Sequence, residues 1–400
     1  MANQNPKMTD SQSTTTILYV LGLLGTLGTW GRAAADGTLV HLFYALHGAD
    51  EYILPGAKAA ALRKSFTGIY WPIDYLLDVL VIFFWEAVDG SHPATSAIGI
   101  YFLGQLFPIL IAFYMDNLRA RQGLGVSLTR PTLWLLSFQM CALGCTGFIW
   151  ALAYLASSPT TSRSLSLNAL QRASLISPQM TLLMFPALVF GYVVPAVSMA
   201  LPPPQIVTNS FQQLAVVTWN LYPLLVLVIL KSLGALAPIF SGQRNDQPVS
   251  SPKEHLRVVR LVSCASLAMS SAVHVGVSAV SISTILFPAL FDAKHAPELS
   301  PASLFLPPIS IAQGSTVGDG VRSFFLWDQA FGYPIVILVM MLQLRTAVIA
   351  RGLPTSWTKS VGFAVLTSCV AGPGSACLAL SWLRDEILFS FEGEAGGKPK

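Results

Sequence analysis

The sequence has few charged residues and few cysteines. Charged residues make up 10% of the 400 residues and hydrophobic residues 53%, whereas charged residues make up about 25% of an average soluble domain. The net charge of +4 is small and spread over loops, so it gives no support to a nucleic-acid partner. The five cysteines lie in apolar segments without histidine at ligand spacing, so we expect neither a disulfide framework nor a metal site. The composition instead indicates a polytopic membrane protein.

Long apolar runs recur along most of the chain, and a spanning helix needs about 20 predominantly apolar residues. The sequence therefore predicts an all-α transmembrane bundle with about 8–9 spanning helices. The nine candidates are 15–31, 68–88, 95–115, 131–156, 178–200, 210–239, 258–288, 323–349 and 360–383. They would form one transmembrane domain (15–383) between a polar N-terminal tail (1–14) and a C-terminal tail (384–400), with extramembrane loops at 32–67, 241–257 and 291–322.

The basic residues conflict with a simple topology for nine spans. Basic loop residues are expected to gather on the cytoplasmic side of a membrane. In this arrangement, the basic residues of 58–64 and 119–130 share one side, and those of 244–257 and 345–359 fall on the other. The conflict disappears if the segment 131–239 crosses the membrane an even number of times.

The stretch Trp71–Asp89, WPIDYLLDVLVIFFWEAVD, is apolar and yet carries four carboxylates. A carboxylate at membrane depth costs roughly 2.5–3.5 kcal/mol, so we expect the face that carries them to turn toward a cavity. Asp89 falls at the turn into the next helix and is the least suited of the four to catalysis. On a helix at 100° per residue, about 120° of arc contains Trp71, Asp74, Tyr75, Asp78, Trp85, Glu86 and Asp89.

One interpretation of this face is a metal–diphosphate site. Asp74 and Asp78 form a DxxxD pair, the spacing with which carboxylates hold Mg²⁺ and a diphosphate in membrane prenyltransferases. Such enzymes use two acidic clusters, and here the second is missing. The other aspartates are scattered at Asp116, Asp292, Asp319, Asp328 and Asp385.

A second interpretation, proton-initiated cyclisation, fits the residues better. A carboxyl group that is buried beside another carboxylate can keep its proton and donate it to a substrate. Aromatic faces then stabilise the resulting carbocation. The segment 324–334, FFLWDQAFGYP, adds Asp328 among aromatic residues that include Trp327 and Tyr333. The alternative for Asp328 is an ion pair with nearby Arg322 at the membrane interface.

Further polar residues in the apolar spans either line the cavity or bridge helices by hydrogen bonds, and bridging is the default. They are Tyr101, Gln105, Gln212, Gln213, Trp219, Asn220 and Tyr222. His274 is alone in its span. It either removes the last proton of a cation cascade or has a structural role.

With these residues in hand, the chain resembles a fungal family of integral-membrane terpene cyclases. Its best-known members close terminal epoxides on farnesylated aromatic compounds in ascochlorin and ascofuranone biosynthesis. The resemblance lies in the chain length, the many spans, and WPIDYLLDVLVIFFWEAVDG followed by a span with Gln105. It implies an enzyme of the endoplasmic reticulum membrane that works beside an epoxidising oxygenase, with no metal or organic cofactor.

We therefore predict a membrane-bound cyclase that protonates an epoxide or alkene of a prenylated, farnesylated aromatic substrate in secondary metabolism. The alternatives are a transporter or proton-coupled carrier that uses the same carboxylates, and a membrane scaffold. The predicted catalytic residues are Asp78 and Glu86, with Asp74 and Asp328 as partners. The predicted substrate-binding residues are Trp71, Tyr75, Trp85, Tyr101, Gln105, Trp219, Asn220, Trp327 and Tyr333.

Overall fold

The computed structural model describes residues 6–48, 51–56, 60–119, 128–162, 164–241, 251–312, 314 and 316–390. Residues 242–250 of the predicted loop, and the outermost residues of both predicted tails, lie outside this range.

Apart from one short hairpin, the regular secondary structure of the described chain is helical. Strands β1 (Ile53–Leu54) and β2 (Ala60–Ala61) pair antiparallel. The α-helices are α1 (Pro6–Thr26), α2 (Arg32–Ala35), α3 (Thr38–His47), α4 (Trp71–Val88), α5 (Pro93–Asn117), α6 (Thr129–Cys141), α7 (Leu143–Ser157), α8 (Leu167–Ser174), α9 (Pro178–Leu188), α10 (Val194–Met199), α11 (Asn209–Asn220), α12 (Tyr222–Ser241), α13 (Pro252–Leu286), α14 (Pro301–Phe305), α15 (Val317–Ala350), α16 (Trp357–Ala371) and α17 (Pro373–Phe389). Single π-helical turns, Leu27–Gly31 and Val189–Val193, join α1 to α2 and α9 to α10.

Five helical segments of the described chain are long and apolar enough to cross a membrane. They are Gln12–Ala35, Pro93–Asn117, Pro178–Met199, Pro252–Leu286 and Val317–Ala350. The pair α11 and α12, bent by 72°, makes a sixth if it counts as one span. The all-α prediction is confirmed, whereas the 8–9 predicted spans are not. The segment 68–88 drops out because Asp74, Asp78 and Glu86 lie in α4.

The predicted span 131–156 is instead a helical hairpin. The chain turns at Ala142, which has a positive φ of 72° between α6 and α7. The rings of Phe138 and Trp150 lie 6.3 Å apart between centroids, although 12 residues of a straight helix would separate them by roughly 18 Å. The two helices therefore fold back on each other. Hydropathy alone does not distinguish this hairpin from a span.

The predicted span 360–383 is a second hairpin of the same kind. Gly372, with a φ of 93° and a ψ of 158°, separates α16 from α17. Ala142 has nearly the same conformation, with a ψ of 146°. Phe363 of α16 and Leu383 of α17 line one cavity, so these helices also fold back. Helix α17 continues to Phe389, which makes part of the predicted C-terminal tail helical.

Helices α5 and α15 run side by side in the same direction at the centre of the bundle. Thr95 donates a hydrogen bond to the Gly318 carbonyl near their starts (2.9 Å). Near their ends, Gln343 lies 3.5 Å from an oxygen of Asp116. This alignment defines two ends of the bundle, one where α5 and α15 start and one where they end.

The hairpins reduce the conflict among the basic residues. If the apolar helices cross a membrane, the segment 131–239 crosses twice, through α9–α10 and α11–α12. The start of α13 and the end of α17 then lie at the same end of the bundle as the end of α5. This agrees with the contacts of Asp385, in α17, with Arg119, just after α5, and with His255, near the start of α13. Arg63, which binds Gln213 through its backbone, stays near the opposite end.

Candidate active site

An apolar cavity of about 440 Å³ lies among α4, α5, α10, α11, α13 and α15. The Phe84 ring lies 5.3 Å from that of Trp219 and 5.9 Å from that of Phe325, and Phe102 stacks on Phe325 at 5.4 Å. This volume is within the usual range for a small-molecule site, and aromatic faces attract cations. Its aromatic lining consists of Phe84, Phe102, Phe107, Tyr192, Trp219 and Phe325.

Few polar groups face this cavity. The Tyr192 hydroxyl donates to the Leu103 carbonyl at 2.9 Å. The Ser96 hydroxyl and the Trp219 indole nitrogen are buried without a hydrogen-bond partner among the described residues. A buried polar group without a partner is costly, and both residues belong to the cavity lining.

Of the predicted site residues, Trp219 lines the cavity, and the four predicted acids do not. Ala87, Val88 and Gly90 do line it, which places the chain at Glu86 and Asp89 next to its wall. The prediction that the acidic face of α4 turns toward a cavity is not confirmed, because Asp74, Asp78 and Glu86 are buried but do not line this one. That face packs against the segment 51–70, while the adjoining face of α4 borders the cavity.

Three acids, Glu86, Asp89 and Asp319, gather where α4 ends and α15 starts; we call them the carboxylate cluster. A Glu86 oxygen accepts a hydrogen bond from the Gly318 amide at 2.8 Å. Asp319 caps α15 together with Thr316 and pairs with His92 at 2.9 Å. Glu86 therefore helps to hold the start of α15 against the end of α4.

Asp89 is the member of the cluster that lies between two residues of the cavity wall, Val88 and Gly90. One of its oxygens accepts hydrogen bonds from the amide and hydroxyl of Ser91, at 2.9 and 2.7 Å. Its other oxygen is buried and has no hydrogen-bond partner among the described residues. Burial raises the pKa of Asp89; the charge of Glu86 also raises it, and the hydrogen bonds from Ser91 oppose this rise.

The hairpin between α3 and α4 covers Asp89. The Trp85 indole donates to the Pro55 carbonyl at 2.8 Å and so fixes the loop. At the next residue, Gly56, a Cβ would come within 2.7 Å of the free Asp89 oxygen, and the φ of 122° also favours glycine. Trp85, predicted to bind substrate, thus holds the loop that covers the second oxygen of Asp89.

Asp74 and Asp78 lie closer to the start of α4 and differ in their partners. Asp74 accepts hydrogen bonds from the Thr67 and Gly68 amides at 2.5 and 3.1 Å, which ties it to the preceding loop. Asp78 is 7% exposed, and one of its oxygens has no hydrogen-bond partner in the described chain. Asp78 therefore remains available for chemistry, and Asp74 is engaged structurally.

Asp328 and Gln105 hold the turns of the two helical hairpins. An Asp328 oxygen accepts from the Gly144 amide at 2.5 Å, two residues after Ala142. The Gln105 carbonyl accepts from the Gly374 amide at 3.1 Å, two residues after Gly372. Each side chain caps the second helix of a hairpin, where backbone amides lack intrahelical partners. The alternative pair of Asp328 with Arg322 does not form, since Arg322 donates to the Ser303 carbonyl.

Four other predicted residues lie outside the cavity wall. Trp71 is 75% exposed, and the Tyr75 hydroxyl contacts His47 at 3.1 Å. Asn220 accepts from Gln139 at 2.7 Å. Trp327 packs on Gly28, where a Cβ would come within 3.1 Å of the indole.

Tyr101 and Tyr333 lie behind the cavity. The Tyr101 hydroxyl lies 3.1 Å from His274 Nδ1, and His274 Nε2 lies 3.1 Å from the Cys369 carbonyl. His274 therefore donates through Nε2 and accepts from Tyr101. The Tyr333 ring lies 6.4 Å from that of Phe102.

Gln212 and Gln213 bridge chain segments, as their default interpretation predicts. Gln212 donates to the carbonyls of Val88 and Met199, both in the cavity wall. Gln213 donates to the Ala61 carbonyl in the hairpin. These bonds join α11 to the end of α4 and to the hairpin over Asp89.

A second group of buried charges was overlooked in the sequence, because its members are far apart along the chain. Arg119 donates to both oxygens of Asp385, at 3.2 and 3.1 Å, and to Asp116 at 3.1 Å. Arg384 also binds Asp385, at 2.7 Å. We call Asp116, Arg119, Arg384 and Asp385 the ion-pair network. It lies where α5 ends, and its charges balance.

Among the described residues, no group of three His, Cys, Asp or Glu side chains could hold a metal ion.

The fold and the cavity together define a helical protein with membrane-length helices around an internal cavity. Its apolar helices are long enough to cross a membrane. They enclose an aromatic cavity of small-molecule size, and buried carboxylates lie near it. The CtvD domain matches residues 14–389. The chain belongs to the CtvD domain family.

Curated relatives agree with this assignment. Terpene cyclase penA of Penicillium crustosum is 25% identical over 80% of this chain and 83% of its own length. Terpene cyclase ascI of Acremonium egyptiacum is 26% identical over 95% of this chain and 94% of its own length. Terpene cyclase ctvD of Aspergillus terreus is 27% identical over 52% of this chain and 57% of its own length. No solved structure matches the chain. The predicted family resemblance and the prediction of an enzyme are confirmed.

Proposed function

We propose that the chain is a membrane-bound terpene cyclase of secondary metabolism that closes rings on a prenylated, farnesylated aromatic substrate. The observation that carries this proposal is an aromatic cavity whose wall includes Val88 and Gly90, the two neighbours of Asp89. The names of the relatives support the cyclase class. The proposed location is the endoplasmic reticulum membrane, and the substrate epoxide would come from an oxygenase.

In this proposal Asp89 is the proton donor. Its carboxyl group gives a proton to the epoxide oxygen, the carbon–oxygen bond breaks, and a carbocation forms. An internal alkene then attacks the cation, which moves along the chain while aromatic faces such as those of Phe84 and Phe325 stabilise it. Loss of a proton to a carboxylate ends the cascade, so substrate and product are isomers.

Glu86 and Asp78 have different roles in this proposal. The negative charge of Glu86 favours the protonated form of Asp89, since two carboxylates that lie close together resist double ionisation. Asp78 is the alternative donor, because it is buried and has an oxygen without a hydrogen-bond partner in the described chain. Asp74 and Asp328, predicted as catalytic partners, are proposed to hold backbone amides instead.

Microsomes that contain the chain, supplied with a farnesylated aryl epoxide, test the function. We expect a cyclised product of unchanged mass, which is absent with control microsomes. If the epoxide is recovered intact, or is only hydrolysed to a diol with a gain of one water, the proposal fails. If both Asp78→Asn and Asp89→Asn retain full activity, the proposed acid is wrong although the cyclase class stands.

One feature favours the transport alternative. Each of the two helical hairpins is a helical segment broken at a turn, and broken helices form substrate sites in transporters. In such sites the free amide ends of half-helices point at the substrate. Here Asp328 and Gln105 occupy those ends. We therefore prefer the cyclase. Uptake of a labelled epoxide into sealed vesicles, without cyclisation, would reverse this preference.

A further inference from the structure

A second cavity, of about 300 Å³, lies where α15 ends, α16 starts and α17 ends. It is at the opposite end of α15 from the carboxylate cluster. Its wall is apolar on one side, with Val348, Phe363 and Leu383, and polar on the other, with Arg345 and Lys359. The remaining lining residues are Leu344, Pro354, Thr355, Ser356, Trp357, Ser360 and Ile387.

The polar side of this cavity is basic. The Arg345 guanidinium lies 4.9 Å from the centre of the Trp357 ring, which fixes its position by a cation–π contact. Lys359 follows two residues after Trp357, and its backbone amide donates to the Ser356 hydroxyl at 3.2 Å. Hydroxyls of Thr355, Ser356 and Ser360 lie among these cations, and no described lining residue is acidic.

The position of this cavity along α15 matches the thickness of a bilayer. Asp319 and Arg345 are 26 residues apart in one helix, which is roughly 39 Å at 1.5 Å per residue. A bilayer measures about 40–45 Å with its headgroups. If the carboxylate cluster lies at one membrane surface, Arg345 and Lys359 lie at headgroup depth on the other.

We propose that this cavity binds an anionic membrane phospholipid. The headgroup phosphate lies between Arg345 and Lys359, and an acyl chain lies along Val348, Phe363 and Leu383. Basic pockets between membrane helices bind anionic headgroups in this way, and the apolar wall distinguishes the site from one for a small soluble anion. The proposal does not depend on the cyclase activity.

Native mass spectrometry of the full chain, purified in detergent, tests this site. Phosphatidylserine and phosphatidylcholine with identical acyl chains are titrated onto the wild type, Lys359→Gln and Arg345→Gln. We expect preferential retention of one phosphatidylserine by the wild type, and about fivefold weaker binding for each cation removed. Lys253→Gln is the matched control, since Lys253 is an exposed cation near the same end and should bind as the wild type does.

Three outcomes would overturn the proposal. The first is equal retention of the two lipids by the wild type, and the second is unchanged binding in Lys359→Gln. The third is an equal loss in Lys253→Gln, which would indicate a diffuse surface effect. Competition with inorganic phosphate is a further test. If phosphate displaces the lipid at equal concentration, the site takes a free anion rather than a phospholipid. Because Lys359 is exposed, its replacement keeps the test valid even if Arg345→Gln folds poorly.

Discussion

The carboxylate cluster, which is partly buried, and the ion-pair network, which is fully buried, are two groups of acids with opposite electrostatic character. In the network, burial alone would raise the pKa of Asp385, yet Arg119 and Arg384 hold it at about 2. In the cluster, burial raises the pKa of Asp89 and no arginine or lysine pairs with it among the described residues. The difference shows that partners, more than burial, separate a structural carboxylate from one that can donate a proton.

The largest effect on stability is expected in the network. Arg119→Met leaves Asp385 and Asp116 buried with fewer cations, which should lower the free energy of unfolding by about 3–5 kcal/mol. Chemical unfolding in detergent measures this loss. Activity per folded molecule should stay near that of the wild type. Arg260→Gln, which removes an exposed pair with Glu386, should change stability by less than about 1 kcal/mol.

A substitution in the cavity wall should have the next largest effect, and this effect is on catalysis. Phe325→Leu removes an aromatic face that contacts Phe84 and Phe102. The loss of a desolvated cation–π contact of about 2 kcal/mol would slow cyclisation up to roughly 30-fold. Product analysis should also show partly cyclised alkenes. Trp71→Leu, at an exposed position, is the control, and equal effects of the two changes would mean that the cavity is not the site.

Glu86→Gln should have a moderate effect on activity. The amide can still accept the hydrogen bond from Gly318, so the fold should persist, but the charge that favours protonated Asp89 is lost. Without this charge the pKa of Asp89 falls, so less of it is protonated near neutral pH. We expect a several-fold loss of activity near neutral pH, and recovery at lower pH as Asp89 regains its proton. A pH–rate profile measures both, and the same loss at every pH would contradict this role.

The smallest expected effect is the pH dependence of stability that arises from the pair of His92 and Asp319. Their hydrogen bond is the main cause that raises the pKa of His92 above its usual value of 6.5. The charged pair therefore stabilises the fold fully below pH 6.5 and is lost as pH rises through the higher folded-state pKa. Asp319 is 35% exposed, so solvent limits the effect to less than about 1 kcal/mol. Thermal unfolding between pH 5 and 8 should lose this dependence in His92→Gln.

The sequence predicted the helical class and the family, but not the path of the chain through the bundle. The segments 131–156 and 360–383 have the composition of spans, and only the backbone at Ala142 and Gly372 shows that each turns back. The residues that hold these turns, Asp328 and Gln105, are distant in sequence. Asp328, which lies in an apolar helix, was therefore interpreted as catalytic, whereas in the structure its carboxylate accepts a hydrogen bond from the Gly144 amide.

The surroundings of the candidate site could not be predicted either, because they also depend on residues that are distant in sequence. Helical periodicity correctly placed Asp74, Asp78 and Glu86 on one buried face. It could not show that the hairpin covers this face, nor that Gly56 lies over one oxygen of Asp89. Asp89 was judged a boundary residue because it follows the helix, and it is partly exposed. The cover over its second oxygen comes from a loop some 30 residues earlier in the chain, which local sequence patterns do not reveal.

The rate of cyclisation per folded molecule of Asp89→Asn tests the central claim most directly. We predict a loss of about 10²–10⁴-fold, the range for removal of a general acid. The unfolding transition should remain near that of the wild type, and Asp89→Glu should recover part of the rate. Wild-type activity in a folded Asp89→Asn protein would contradict the account, and a loss of activity that only follows a loss of folded protein would do so equally.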